Sequence, residues 1–290
     1  MQEAKDVRIL QRATIIMAAF LIIEIIGGIW SGSIALLADA GHMTIDVISS
    51  LLALFSCKIS GTKEDSKRTF GYKRAQVIAA FINGITLLIT IAIIIFEAID
   101  RLIHPSVVNG HLMVTVGIFG VIANILVTYT LLKGSKNNLN IKSTILHEIG
   151  DLLGYVGAVI AGLLIIYFGY QKADPILSIF FSAIMLKTTW ELIKSTIFIL
   201  MEAKPDNIDQ SKLVKVLKSQ LPDFVNLHHI HIWSLSPEDI LMTAHLKVKK
   251  TIKDLKKAAT IIKEAKKIIA IEFGIKHVIL ELENDSCSDD

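Results

Sequence analysis

The sequence of 290 residues is poor in several residue types. Its two cysteines, Cys57 and Cys287, exclude a framework of several disulfides and a cysteine-rich metal cluster. Five prolines and 17 glycines leave no low-complexity tract. Charged residues make up only 20% of the chain, against about 25% in soluble domains. The formal net charge of +3 is too small to suggest a nucleic-acid partner.

Hydrophobic residues, by contrast, are abundant, at 52% with a mean hydropathy of +0.57. The apolar excess lies almost entirely before Ala203, and the remaining residues are rich in Lys and Glu. This uneven distribution predicts two domains. We expect a membrane domain over residues 1–204 and a small soluble domain over residues 205–290.

Six apolar stretches are long enough to cross a membrane, because a helix needs about 20 mostly apolar residues to span a hydrocarbon core of about 30 Å. We expect none of them to be a cleaved signal peptide, since the first is long and five more follow. They run from Ala13 to Trp30, Ile34 to Cys57, Ala75 to Ile99, Leu112 to Leu132, Thr144 to Phe168 and Pro175 to Leu200.

Lys and Arg residues in the short connections between the helices predict how the protein is oriented in the membrane. Twelve of them lie on the side of the N-terminus, and only Arg101 and Lys172 lie on the other side. Since cytoplasmic connections carry the excess of Lys and Arg, both termini and the soluble domain are expected in the cytoplasm.

The soluble domain shows an α-β-β-α-β pattern. Asp206 to Gln220 has the period of an amphipathic helix, and Thr251 to Glu272 is a Lys-rich helix with a predicted apolar stripe at Leu255, Ala259, Ile262 and Ala265. Three segments are predicted to be strands: Leu227 to Leu235, Ile240 to Val248 and Lys276 to Leu282. The fold class is thus an all-α six-helix transmembrane domain with a small α+β domain.

Ionisable residues inside the predicted spans are costly and need a partner or a function. His42 and Asp46 in the second span are four residues apart, as are His147 and Asp151 in the fifth, so each pair shares one helix face. Two facing pairs can form a four-coordinate site of two nitrogens and two oxygens, which suits Zn²⁺ and leaves Cd²⁺ and Co²⁺ open. The alternative is that each pair is an internal hydrogen bond.

Further polar and small residues accompany these pairs. Asp39 precedes His42 by one turn and either orients it or faces a water-filled vestibule. Gly150 and Gly154 form a GxxxG step that permits close helix approach. The remaining polar residues inside spans are Glu24, whose role is open, and two asparagines for which a structural role is favoured, Asn83 and Asn124.

Four motifs resemble those of the cation diffusion facilitator family. They lie at Ser31 to Asp46, Phe70 to Gln76, His147 to Asp151 and His228 to Leu235, and together they cover nearly the whole chain. The resemblance implies a homodimeric transporter of the bacterial cytoplasmic membrane that exports Zn²⁺ from the cytoplasm in exchange for protons. Its transport site would consist of His42, Asp46, His147 and Asp151, a ligand set associated with zinc and cadmium members.

The resemblance also implies a copper-chaperone-like fold and a zinc site in the soluble domain. By motif position its ligands would be His228, His245 and Glu283, while His229, His231 and His277 are expected to be surface or packing residues. Arg74 and Glu202 match a charge pair near the junction of the two domains, although Arg74 alone can also serve as a membrane-edge residue. No organic cofactor is expected.

Some relatives hold a further zinc ion between the second and third helices, using an Asp and two His. The matching positions are Asp65, Arg68 and Tyr72, so two of the three ligands are missing and we do not predict this site.

Two other functions compete with transport by exchange. His147-Glu148-x-x-Asp151 resembles the HExxH arrangement of an intramembrane zinc metalloprotease with Glu148 as the base, but that reading leaves His42 and Asp46 unexplained. A passive channel for divalent cations is the other alternative. No P-loop motif is present, which argues against an ATP-driven pump.

Overall fold

The computed structural model describes residues 2–31, 34–62, 64–104, 108–135, 137–249 and 254–283. Within these ranges it describes every side chain except those of residues 2–4, 27, 28, 30, 31, 34–39 and 42. The chain divides into two compact units, residues 1–196 and residues 197–290. Each unit is described by itself below.

The first unit contains six helices that are long and apolar enough to cross a membrane, as predicted. Their outward surface carries large apolar side chains, among them Phe96 and Phe168, which are 77% and 78% exposed. Such a surface suits contact with lipid. The helices are α1 (Gln2–Ser31), α2 (Ile34–Ser60), α3 (Arg74–Ile103), α4 (Gly110–Leu131), α5 (Leu139–Phe168) and α6 (Ala173–Leu200).

Two of these helices begin earlier than their apolar stretches. Helix α1 starts at Gln2 rather than Ala13, and α5 starts at Leu139 rather than Thr144. The side chain of Asn138 accepts hydrogen bonds from the backbone N–H groups of Asn140 and Ile141, which caps α5. Hydropathy predicts only the part of a helix that lies in lipid, whereas capping determines where the helix begins.

Glycines allow α4 and α5 to approach closely. A Cβ atom on Gly162 would lie 2.7 Å from Val114 Cγ2 and 3.0 Å from the backbone oxygen of Gly110. Both distances are shorter than ordinary carbon contacts. On the opposite face of α5, Gly150 and Gly157 lie against Met185 and Phe181 of α6. Gly154, the second member of the predicted GxxxG step, has open space instead of a neighbour within 4 Å.

The second unit has the predicted α-β-β-α-β order. Strand β1 pairs antiparallel with β2, and β2 pairs parallel with β3, so β2 is central. The hydrophobic core lies between the two helices and one face of this sheet, with Leu217, Met242 and Leu246 fully buried. The elements are α7 (Gln210–Gln220), β1 (Phe224–Ser236), β2 (Asp239–Val248), α8 (Leu255–Phe273) and β3 (His277–Glu283).

The apolar stripe predicted for α8 is partly wrong. Leu255 is 86% exposed and Ala259 is also exposed, while Ile261, Ala265 and Ile269 are buried. Asp254 caps α8 and makes Leu255 its first residue. The buried stripe therefore begins in the second turn, where the helix reaches the sheet.

We expect Gly162→Ala to destabilise the first unit by about 1–3 kcal/mol, the usual cost of overpacking a close contact. Thermal unfolding of the detergent-solubilised protein measures this change. Gly154→Ala is the matched control in the same helix, because its Cβ meets open space. An equal loss of stability in both variants would show that close packing at Gly162 is not the cause.

Candidate metal centres

Three predicted ligands of the membrane site come together between α2 and α5. His147 Nε2 lies 2.6 Å from Asp46 Oδ1 across the two helices and 3.5 Å from Asp151 Oδ2 within α5. One ligand atom from each residue falls within 4.8 Å of the others. His147 and Asp46 are buried, with only 4% and 5% of their surface exposed. The three side chains can therefore reach one ion.

The fourth predicted ligand, His42, lies on α2 one turn before Asp46, which is the same helix face. Its side chain and that of Asp39 lie outside the described residues, so the ligand role of the first and the orienting role of the second stay predictions.

The atom that would bind a metal ion is the same atom that contacts the carboxylates. His147 Nε2 donates a hydrogen bond to Asp46 only when it carries a proton, and it binds a metal ion only when it does not. The other ring nitrogen, Nδ1, is buried and makes no hydrogen bond to any described residue. A proton and a metal ion therefore compete for one nitrogen.

A small cavity of about 10 Å³ adjoins this cluster and is lined by Asp46, Asp151, Glu148 and Asn124 among others. That volume is close to the minimum needed for one water molecule. Glu148 is only 2% exposed, and its Oε1 has no hydrogen-bond partner among the described residues. From the sequence, Glu148 had a role only in the protease alternative, and its position beside Asp46 and Asp151 was not predicted. Its place next to His147 in the motif was the available signal.

Asn124 has a local structural contact. Its side-chain amide donates a hydrogen bond to the backbone oxygen of Gly120 at 3.0 Å, one turn earlier in α4. This contact agrees with the structural role favoured for Asn124.

The second unit brings together His228, His245 and Glu283, the three ligands implied by motif position. His245 Nδ1 lies 2.8 Å from Glu283 Oε1, and His228 Nε2 lies 3.1 Å from Glu283 Oε2. His228 faces His245 directly across the β1–β2 pair. Since successive side chains of a strand alternate, His245 lies on the face opposite to its buried neighbours Ala244 and Leu246. The cluster thus occupies the sheet face that the helices leave uncovered.

His229 lies closer to this cluster than we expected. The pairing of β1 with β2 is irregular between His228 and His231, and His229 has a φ of 45°. Its ring centroid consequently lies 5.0 Å from that of His245. His231 and His277 are exposed, as expected for surface residues.

Asp65, in the loop between α2 and α3, is held by hydrogen bonds from residues of the same loop. Asp65 accepts hydrogen bonds from the backbone N–H groups of Arg68 and Lys67 at 2.7 and 2.8 Å, and these bonds lower the pKa of the carboxyl. Arg68 Nη1 and the Tyr72 hydroxyl donate to its other oxygen at 3.1 and 3.2 Å. The guanidinium of Arg68 therefore supplies the positive charge beside Asp65.

The two residues expected near the domain junction belong to different units. Arg74 is the first residue of α3, and Glu202 follows α6 with a φ of 58°. Their pairing stays a prediction.

These features define a multi-pass membrane protein followed by a small α+β unit. Within the described residues, each unit contains a cluster of side chains that could bind a metal ion. Comparison with known families then identifies the group. Residues 10–201 match the family described as the cation efflux transmembrane domain, and residues 205–285 match the cation efflux protein cytoplasmic domain.

Several curated relatives align with most of the chain. The zinc transporter ZitB of Pectobacterium atrosepticum is 37% identical over 99% of this chain and 89% of its own length. ZitB of Escherichia coli is 40% identical over 85% of this chain and 79% of its own length. The cadmium, cobalt and zinc/H(+)-K(+) antiporter of Bacillus subtilis is 36% identical over 99% of this chain and 92% of its own length.

The chain belongs to the cation efflux family. The resemblance to cation diffusion facilitators is thereby confirmed, as is the fold of six membrane helices plus a small α+β domain. The protein is a membrane transporter and not an enzyme, which excludes the metalloprotease alternative.

Proposed function

We propose that the protein exports Zn²⁺, and also Cd²⁺, from the cytoplasm in exchange for protons. The observation that carries this proposal is the convergence of Asp46, His147 and Asp151 on one point between two membrane helices. With His42 they provide two imidazole nitrogens and two carboxylate oxygens. Zn²⁺ accepts this ligand set in tetrahedral geometry.

The contact of His147 with Asp46 supports proton exchange. Zn²⁺ needs a neutral imidazole and ionised carboxylates, so binding of the ion releases protons and protonation releases the ion. An imidazole titrates near neutral pH, which suits it to this switch. Alternating access would expose the site first to the cytoplasm and then to the outside. The name of the Bacillus subtilis relative, an antiporter of cadmium, cobalt and zinc, favours exchange and a range of metals.

The distribution of charge supports an orientation with both termini in the cytoplasm. Twelve Lys and Arg residues flank the helices on the side of the N-terminus, against two on the other. The match of residues 205–285 to a cytoplasmic domain agrees with this orientation. We assign the protein to the bacterial plasma membrane, with the end of α3 and the start of α6 at its outer face.

In the second unit we propose a regulatory Zn²⁺ site at His228, His245 and Glu283. Glu283 already contacts both imidazoles, so a bound ion would replace these contacts without a rearrangement of the sheet. We further propose that the unit dimerises with a second copy of the chain and that bound zinc strengthens this dimer.

Asp151→Asn should reduce zinc uptake by inside-out vesicles more than about tenfold, because loss of a ligand or its close partners weakens a metal site by at least that factor. Radioactive zinc uptake, normalised to the amount of protein in the membrane, measures the effect. Glu191→Gln is the matched control, since it removes an exposed carboxylate of α6. Undiminished uptake by the Asp151→Asn protein would refute the site.

Zinc uptake by inside-out vesicles should require an acidic interior and should stop when a protonophore collapses the gradient. The reason is that protons leaving the vesicle lumen must displace the ion from His147 and the carboxylates. A passive channel would continue to equilibrate zinc after the collapse, which separates the two mechanisms.

His245→Ala should remove one bound zinc ion per chain from the purified full-length protein and slow transport without abolishing it. Calorimetric titration and the vesicle assay measure these two effects. His277→Ala is the control, because it removes an exposed histidine from β3. Unchanged zinc stoichiometry in the His245→Ala protein would contradict the regulatory site.

A further inference from the structure

A second, larger cavity leads away from the membrane cluster. It measures about 250 Å³ and lies between α3, α5 and α6. Asp151 is part of its wall, so the cavity reaches one ligand of the proposed transport site. Its lining includes Thr90, Ile91, Asp151, Gly154, Ser178 and Ser182.

The cavity contains polar groups that an apolar packing defect would lack. Hydroxyl groups from α3 and α6 line it, at Thr90, Ser178 and Ser182. Gly154 contributes space, since no atom lies within 4 Å of the position that its Cβ would take. A cavity of this volume has room for several water molecules beside these residues, and water is the medium that a moving ion or proton needs inside a membrane.

The cavity continues to the end of the bundle where α3 ends and α6 begins. An adjoining cavity of about 140 Å³ shares Ile94 and Ser178 with the first. Its remaining lining includes Glu97, Arg101 and Asp174. The two cavities together thus extend from Asp151 to the ends of the helices.

Three charged side chains line this end. Arg101 Nη1 lies 3.2 Å from Asp174 Oδ2, which links α3 to α6 across the opening. Arg101 also pairs with Glu97 one turn earlier. The group carries one excess negative charge, which attracts cations. The side chains of Arg101 and Asp174 are 40% and 14% exposed, so the pair lies at the boundary between the cavity and solvent.

We propose that the Arg101–Asp174 ion pair is a gate on the route that these adjoining cavities form between Asp151 and the outer face of the membrane. The direction of transport through this route rests on the proposed function. The existence of the route and the gate does not.

The rate of thiol labelling tests the gate without a measurement of zinc transport. Ser178→Cys is introduced where the two cavities meet, in a protein whose Cys57 and Cys287 are replaced by serine. Intact cells are treated with a membrane-impermeant cationic thiol reagent. We expect slow labelling while the ion pair is intact, and labelling about two- to fivefold faster when Asp174→Asn is added, the ratio that loss of a partly exposed ion pair produces.

Two controls make the result specific. Asp100→Asn removes a carboxylate next to Arg101 in α3. This carboxylate pairs with His104 Nδ1 at 3.1 Å and does not line the cavity, so its loss should not accelerate labelling. Phe180→Cys places the thiol at a position of α6 that is 57% exposed on the surface of the bundle that faces lipid. It should react more slowly than the thiol of Ser178→Cys. Arg101→Gln breaks the same ion pair from its other side and must also accelerate labelling.

Equal labelling rates with and without the ion pair would overturn the gate, as would equal acceleration by Asp100→Asn. Labelling of Ser178→Cys no faster than that of Phe180→Cys would overturn the route. Adding Asp151→Asn abolishes the proposed transport but should leave the labelling pattern unchanged. Failure of the transport assays with intact labelling would therefore refute the proposed function alone, and the reverse result would refute the gate alone.

Discussion

The contact of His147 Nε2 with Asp46 and Asp151 is the interaction on which the rest of the structure depends. Carboxylates inside a membrane are costly unless they have a partner, and here one imidazole lies within 3.5 Å of both. Its burial makes the cluster sensitive to the loss or gain of a single charge. A proton or a divalent cation can each satisfy the carboxylates, and this equivalence is the physical basis of the exchange that we propose.

Helix packing determines how that cluster connects with its surroundings. Glycines bring α4 and α5 together so closely that a Cβ on Gly162 would clash with Gly110 and Val114. On the other side of α5, Gly154 has no neighbour and the space opens into the cavity toward α6. One helix therefore has a tightly packed face and a face that borders a cavity. Asp151, a proposed ligand, lies on the face that borders the cavity.

The second unit uses a sheet instead of helices to assemble metal ligands. Pairing of β1 with β2 places His228 opposite His245, and the parallel partner β3 adds Glu283 from the end of the described chain. Alternation along β2 separates His245 from the apolar residues of the core. Regular alternation would direct the side chain of His229 to the other face. The irregular pairing at His229 instead brings its imidazole near those of His228 and His245.

Local patterns in the sequence determined the elements and part of the ligand set. Six apolar stretches predicted six helices, and the spacing of four between His147 and Asp151 placed them on one face, because helix and strand periods follow from backbone geometry alone. The contact across 101 residues to Asp46, the position of Glu148 and the cavity that ends at Arg101 and Asp174 were decided by the tertiary structure. The exposure of Leu255 was likewise not predictable. Each of these depends on how separate helices pack against a neighbour, and hydropathy and periodicity within one segment contain no information about that neighbour.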